Sequence, residues 1–213
     1  MKAIALSAAL SLDGFLDDDR AERLVLSSPE DFAEVRSLRS EYEAILVGAE
    51  TVRRDDPSLR GAGVQPRRVT LTRCGAIPHE ARFFAADGGD RSIVLAPHDA
   101  FAAVRERIGE RAEVISLERA DARGIVAALE RRGISSLFVE GGTRVLTMFL
   151  SAGLFTRLRL SIAPFFLGAH GRAHFVEPAS FPHDKDRRLH LLAVRTLGNC
   201  AVLDFENTDD VLC

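Results

Sequence analysis

The chain has 213 residues, of which 46 % are hydrophobic and 28 % charged, and its net charge is −3. That balance suits an ordinary folded domain and excludes the bulk basic field of a nucleic-acid binder. No apolar stretch approaches the roughly 20 residues that a bilayer span needs. Cys74, Cys200 and Cys213 are odd in number and form no CxxC pattern, which fits reduced thiols better than a disulfide frame or a zinc site.

The first residues, MKAIALSAALSLDGF, have the lysine and apolar run of a signal peptide. Asp13 and Gly14 interrupt the run when it is as long as one buried strand, so residues 2–10 read as a first strand and the protein as cytoplasmic. Ser28 can cap a helix, Pro29 suits its first position and Asp31 can close a capping box. That helix is expected to reach about Tyr42, with Phe32, Val35 and Leu38 on one face. AILVG (44–48) is the next strand, and AETVRRDDP a short helix stopped by Pro57. Strands follow at 67–72 and 91–96. Two helical segments, PHDAFAAVRERIGE and ADARGIVAALERRG, flank the strand AEVISL. SSLFVEGG ends another strand, TRVLTMFLSAG is a helix closed by Gly153, and 157–168 is a strand interrupted by Pro164. The tail alternates as a hairpin turning at Gly198-Asn199.

Strands alternating with helices, then antiparallel strands, predict an α/β fold. The expected form is three-layer, a mostly parallel sheet flanked by helices with a C-terminal antiparallel hairpin on one edge. Gly and Pro are scattered, so residues 1–213 read as a single domain. In such sheets ligands bind beyond the carboxyl ends of the strands. The segments to search are therefore SLDG, GAETVRRDDP, TRCG and EGGTRVL.

In LFVEGGTRVL (137–146) an apolar strand ends in Glu140 and two glycines before a helix. Free N–H groups and the positive end of the helix dipole meet at such a junction and make an anion site; a tight strand-to-helix turn is the plainer alternative. Glu140 is costly there unless it pairs with an arginine or faces a ring carrying N–H donors. GAETVRRDDPSLR repeats the arrangement, with Thr51 and Asp55 at i and i+4 on one face. Arg73 stands past a further strand, where an arginine can hold a 2′-phosphate or simply meet solvent. His170 and His174 sit in a glycine-bearing loop and call for no metal. DDDR (17–20) reads as a solvated turn.

Together, SLDGFL, SSPEDFAEVRSLRSEYEAILVGAETVRRDDPSL, LFVEGGTRVLTMFLSAGL and RLRLSIAPFFLG resemble the riboflavin-biosynthesis pyrimidine reductase family, the C-terminal half of the bacterial bifunctional deaminase–reductase. The resemblance covers about residues 2 to 168. It implies a dihydrofolate-reductase-like fold, NADPH as cofactor, a homodimer, and reduction of the ribose of a phosphoribosylamino-pyrimidine to a ribityl chain. Position by position, it implies that Ala9, Thr51, Asp55 and the loop Gly142, Thr143, Arg144, Val145, Leu146, Thr147 and Met148 bind NADPH. Arg73 is the candidate 2′-phosphate partner. Arg39, Leu59 and Glu140 would contact substrate, with Arg39 on its phosphate and Arg60 standing in for an arginine that follows DDPSL in the family. The chain departs from the family at Arg23-Leu24-Val25, where the family often has Ser-x-Trp, and at DDPSLRGAG. It lacks the deaminase's zinc signature.

Hydride chemistry resides in the nicotinamide, so the protein's share is orientation and dryness. Proton movements fall to Asp55, Glu140 or water. A dihydrofolate or pteridine reductase on the same fold, and a non-catalytic nucleotide-binding regulatory protein, are the competing readings.

Overall fold

The computed structural model describes residues 1–20, 22–85 and 92–208. In chain order the elements are β1 (Ala3–Leu10), β2 (Phe15–Asp18), α1 (Pro29–Arg39), β3 (Ala44–Gly48), α2 (Ala49–Asp55), β4 (Arg67–Leu71), β5 (Ser92–Pro97), α3 (Phe101–Ile108) and β6 (Ala112–Leu117). They continue with α4 (Ala122–Glu130), β7 (Ser136–Val139), α5 (Thr143–Ser151), β8 (Arg157–Ile162), β9 (Gly171–His174), β10 (His190–Leu197) and β11 (Cys200–Glu206). Arg91 and Cys213 lie outside the described residues.

A nine-stranded sheet runs β10-β11-β8-β1-β7-β3-β4-β5-β6. Every pairing from β8 to β6 is parallel, and β10 and β11 add antiparallel strands at one edge. Strand alternation sends Ile4, Leu6 and Leu10 of β1 and Leu137 and Val139 of β7 to one face, against Ile125 and Leu129 of α4 and Leu146, Phe149 and Leu150 of α5. Ala5, Ile45, Val47, Val94 and Phe138 face the other way, against Val104 and Ile108 of α3, with Val35 and Leu38 of α1 packed beside them. The sheet is thus a middle layer with helices on both faces, as the alternating pattern predicts.

Several local expectations need correction. Ser28 caps α1 by accepting from the Asp31 N–H, but the capping box does not close, because the Asp31 carboxylate instead accepts from Arg159. The helix stops at Arg39, not near Tyr42. Its expected apolar face is uneven: Phe32 is exposed, and the one fully buried residue of α1 is Asp31. The acidic run after Gly14 is not a solvated turn. Asp17 and Asp18 belong to β2, which pairs with β9, and Asp18 is buried. The stretch around His174, read as loop, supplies β9. These two short strands form their own sheet; neither carries enough apolar alternation to announce itself.

Candidate active site

Adjacent β7, β1 and β8 bring three side chains abreast. Leu6 is in register with Val139 and Ser7 with Arg159, so Glu140, Ser7 and Arg159 stand level on neighbouring parallel strands. By alternation all three point to the face that α1 covers. The helix is fastened there by two ion pairs of opposite sense. Toward its C-terminus Arg39 donates from Nε and Nη2 to the two oxygens of Glu140, each at 2.6 Å, and from Nη1 to the Arg60 carbonyl at 3.3 Å. At its N-terminus Asp31 Oδ1 accepts from Arg159, which also donates to Glu34 at 3.0 Å. Glu34 continues the network to Arg195, and these guanidinium partners hold its carboxyl below the usual range.

The cleft beside this helix has a volume of about 1050 Å3 and opens past the carboxyl ends of β1, β3, β4 and β7. Its glycine junction is tightly built. Gly141 has φ +102°, a conformation that needs the missing side chain. Gly48 N–H donates to the Gly141 carbonyl at 2.8 Å, so the ends of β3 and β7 lean on each other. Gly142 N–H donates to Thr51 Oγ1 at 3.3 Å, joining the start of α5 to α2. The first turn of α5 then presents N–H groups that no intrahelical carbonyl can accept. They face a cleft wall carrying eight arginines against six carboxylates, in a chain that is negative overall. An anion is drawn to such a place.

Most of the expected site residues meet in this cleft. Ala9, Thr51, Asp55, Gly142, Thr143, Arg144, Val145 and Met148 line it, as do Arg39, Leu59, Arg73 and Glu140. Three do not. Leu146 is fully buried in the core under α5, and Thr147 points inward, donating to the Thr143 carbonyl and accepting from the Glu177 N–H. The 3.6-residue stripe of Leu146, Phe149 and Leu150 carries that signal in the sequence. Arg60 lies outside the lining residues, its side chain exposed and its carbonyl taken by Arg39. Arg73 is exposed and paired with Asp99 at 2.5 Å. Leu59 is buried with φ +51°, a left-handed conformation uncommon for a residue other than glycine.

Three titratable groups in the cleft are shifted, and the hydrogen bond from Arg53 holds the Glu50 carboxyl below its usual range. Burial pushes the Asp55 carboxyl up, and Arg23 only partly offsets that. The Cys74 thiol, beside Arg73, is held below its usual range by the Ala76 N–H and the Thr72 hydroxyl. Among the described residues no group of His, Cys, Asp and Glu could hold a metal ion; His170 instead meets Asp19, and the ring of His174 lies 4.2 Å from that of Phe15. No helix among them is long and apolar enough to cross a membrane.

The fold and the site define a three-layer α/β protein with an arginine-walled cleft at the carboxyl ends of its strands. Within that class, the chain belongs to the RibD C-terminal domain family, whose profile matches residues 2–203. It is 29 % identical over 195 residues to the 2,5-diamino-6-ribosylamino-4(3H)-pyrimidinone 5′-phosphate reductase of Archaeoglobus fulgidus, covering 84 % of this chain and 87 % of that protein. It is 32 % identical over 170 residues to the riboflavin biosynthesis protein RibD of Aquifex aeolicus, covering 78 % of this chain and 47 % of that one. The solved structure of Acinetobacter baumannii RibD superposes with a TM-score of 0.79 at 26 % identity, over 98 % of this chain and 58 % of that chain.

Proposed function

We propose that this chain is an NADPH-dependent reductase that converts the ribosyl side chain of a phosphorylated ribosylaminopyrimidine to a ribityl chain, as a step of riboflavin biosynthesis. The observation that carries it is the Gly141–Gly142 junction at the mouth of α5, joined to Thr51 of α2 and opening into the arginine-walled cleft. The reductase named for the archaeal relative, which aligns with most of the chain, supports the substrate class. A homodimer in the cytoplasm completes the reading.

The residues present suit the cofactor. Glycines and helix N–H groups suit the pyrophosphate, with Thr51, Thr143 and Arg144 at its sides, and Arg73 is the candidate partner for the 2′-phosphate. When bound, NADPH supplies the hydride. Ala9 and Val47 keep the wall smooth and apolar, which helps exclude water. Asp55 is the cleft carboxyl whose affinity for a proton burial has raised, so it can hold a proton at the site. Arg39 fixes both oxygens of Glu140 in one plane and orients the carboxylate before substrate arrives.

The test is turnover with NADPH. The reading expects consumption with the 2,5-diamino or 5-amino-uracil ribosylaminopyrimidine phosphates and none with dihydrofolate. Turnover of dihydrofolate alone would make this a pteridine reductase. Tight NADPH binding without turnover of any of them would make it a regulatory protein.

A further inference from the structure

Seven of the eight arginines that line the cleft already meet a carboxylate. Arg39 and Arg159 fasten α1, Arg53 and Arg172 share Glu50, and Arg54, Arg73 and Arg144 meet Asp17, Asp99 and Glu177. Arg23 is the exception. Among the described residues its guanidinium has no carboxylate at ion-pair distance and no hydrogen-bond acceptor. Its side chain is exposed and lies 5.8 Å from the centre of the Phe32 ring, which steadies a cation without satisfying its N–H donors. Phe32 stands two turns, roughly 10 Å, before Arg39 on the same face of α1, and both line the cleft. The Arg39–Glu140 pair thus closes one end of that face, and Arg23 marks the other. The charge of Arg23 is felt at Asp55, one turn along α2 from the Thr51 hydroxyl that joins the glycine junction.

Resting on the function proposed above, we infer that Arg23 is the specificity-determining residue that holds the substrate's phosphate and selects the phosphorylated pyrimidine over its nucleoside. A phosphate monoester offers the acceptor oxygens that this planar guanidinium fork lacks. The other two arginines expected on the substrate side are engaged or turned away. Arg39 commits Nε and Nη2 to Glu140 and Nη1 to the Arg60 carbonyl, and Arg60 lies outside the lining residues. With the pyrimidine ring at Glu140, an extended phosphorylated side chain reaches the Phe32 end of the same helix face. Arg23 belongs to the Arg23-Leu24-Val25 segment, where this chain departs from the Ser-x-Trp of its relatives, so the anchor is particular to this chain. Phe32 is a positioning residue: its ring keeps the guanidinium at the cleft wall before substrate arrives.

The experiment measures kcat and KM of the purified full chain with saturating NADPH, for the phosphorylated ribosylaminopyrimidine and for the same compound after phosphatase treatment. The proteins are the parent, Arg23→Met, Arg23→Lys and Phe32→Leu. Arg23 is exposed, so Arg23→Met should melt with the parent. The parent is expected to favour the phosphorylated form by at least roughly tenfold, the scale of one charge-assisted contact. Arg23→Met should raise KM for that form by a similar factor with kcat little changed, and alter kcat/KM for the nucleoside far less. Arg23→Lys keeps the charge but not the fork, so its KM should fall between those two. Phe32→Leu, which removes the ring and spares the cation, should raise KM for the phosphorylated form by a smaller factor. NADPH affinity, read by fluorescence titration, should be the same in all four proteins. Equal losses on both substrates in Arg23→Met, or an unchanged KM for the phosphorylated one, would overturn the inference. So would a fall in NADPH affinity in that variant, which would assign the guanidinium to the cofactor's phosphates. A parent that turns over neither compound defeats the functional reading itself, and the inference with it.

Discussion

Breaking the Arg39–Glu140 pair tests whether the cleft wall is built as described. Arg39→Met removes the cation and leaves Glu140, with only 12 % of its side chain exposed, facing no guanidinium. Removing one member of a fully buried pair costs about 3–5 kcal/mol. Here slightly more than a tenth of each side chain reaches the cleft, so water offsets part of the loss and about 2–3 kcal/mol is expected. For a chain of this length, each kcal/mol lowers Tm by about 2–4 °C, which gives a drop of about 4–12 °C. Glu140→Leu strands the arginine and should cost a similar amount. The double variant Arg39→Met/Glu140→Leu leaves no unpaired charge and should recover much of the loss. Urea melts of the four proteins form the cycle, and a coupling of at least about 1 kcal/mol is expected. Turnover should be lost in all three variants, so the double variant would be stable and inactive. Single losses that add to the double within about 0.5 kcal/mol would refute the pair as a working unit of the site.

Three further outcomes follow from neighbouring residues. A Cβ at Gly142 would meet Thr51 Oγ1 at 3.3 Å, so Gly142→Val should crowd the junction and weaken NADPH binding by tenfold or more, on the order of one lost charge-assisted contact, as read by fluorescence titration; unchanged affinity in a folded variant would misplace the pyrophosphate. Arg73 should contribute to a preference for NADPH over NADH, and Asp99→Asn, by freeing the guanidinium, should widen that preference, whereas equal affinity for the two cofactors in the parent would remove its basis. Asp55 has a raised folded-state pKa, so the folded state binds more protons than the unfolded chain between the two pKa values, and stability falls as pH rises through that window. Asp55→Asn should therefore stabilise the protein near neutral pH and not below the unfolded carboxylate pKa of about 3.9; a gain of equal size at both pH values would contradict the burial of that carboxyl.

The Ser28-Pro29 start of α1, the glycines after Glu140 and the Gly198-Asn199 turn were legible because each is a local signal, in which the residue type itself demands the conformation. Gly198 does adopt positive φ, and Ser28 does cap its helix. The parallel middle and the hairpin edge followed from strand and helix order alone. What stayed hidden depends on partners distant in the chain. Asp31 reads as a capping residue until Arg159, 128 positions away, takes its carboxylate. Asp18 reads as solvated until β9 pairs with β2 and covers it. The partnership of Arg39 with Glu140 was open as one alternative, since a carboxylate ending a buried strand needs a donor, but spacing could not say which arginine supplies it. The inward turn of Leu146 and Thr147 was readable from helical periodicity, and treating residues 142–148 as one binding loop obscured it.

The central claim is tested most directly by following NADPH absorbance with 2,5-diamino-6-ribosylamino-4(3H)-pyrimidinone 5′-phosphate and identifying the product by mass spectrometry. The account predicts one product per NADPH consumed, heavier than the substrate by two hydrogens, with the label from deuterated nicotinamide on the ribityl carbon that was C1′. NADPH that binds but is never consumed with this substrate, or deuterium that appears on the pyrimidine ring, would contradict it.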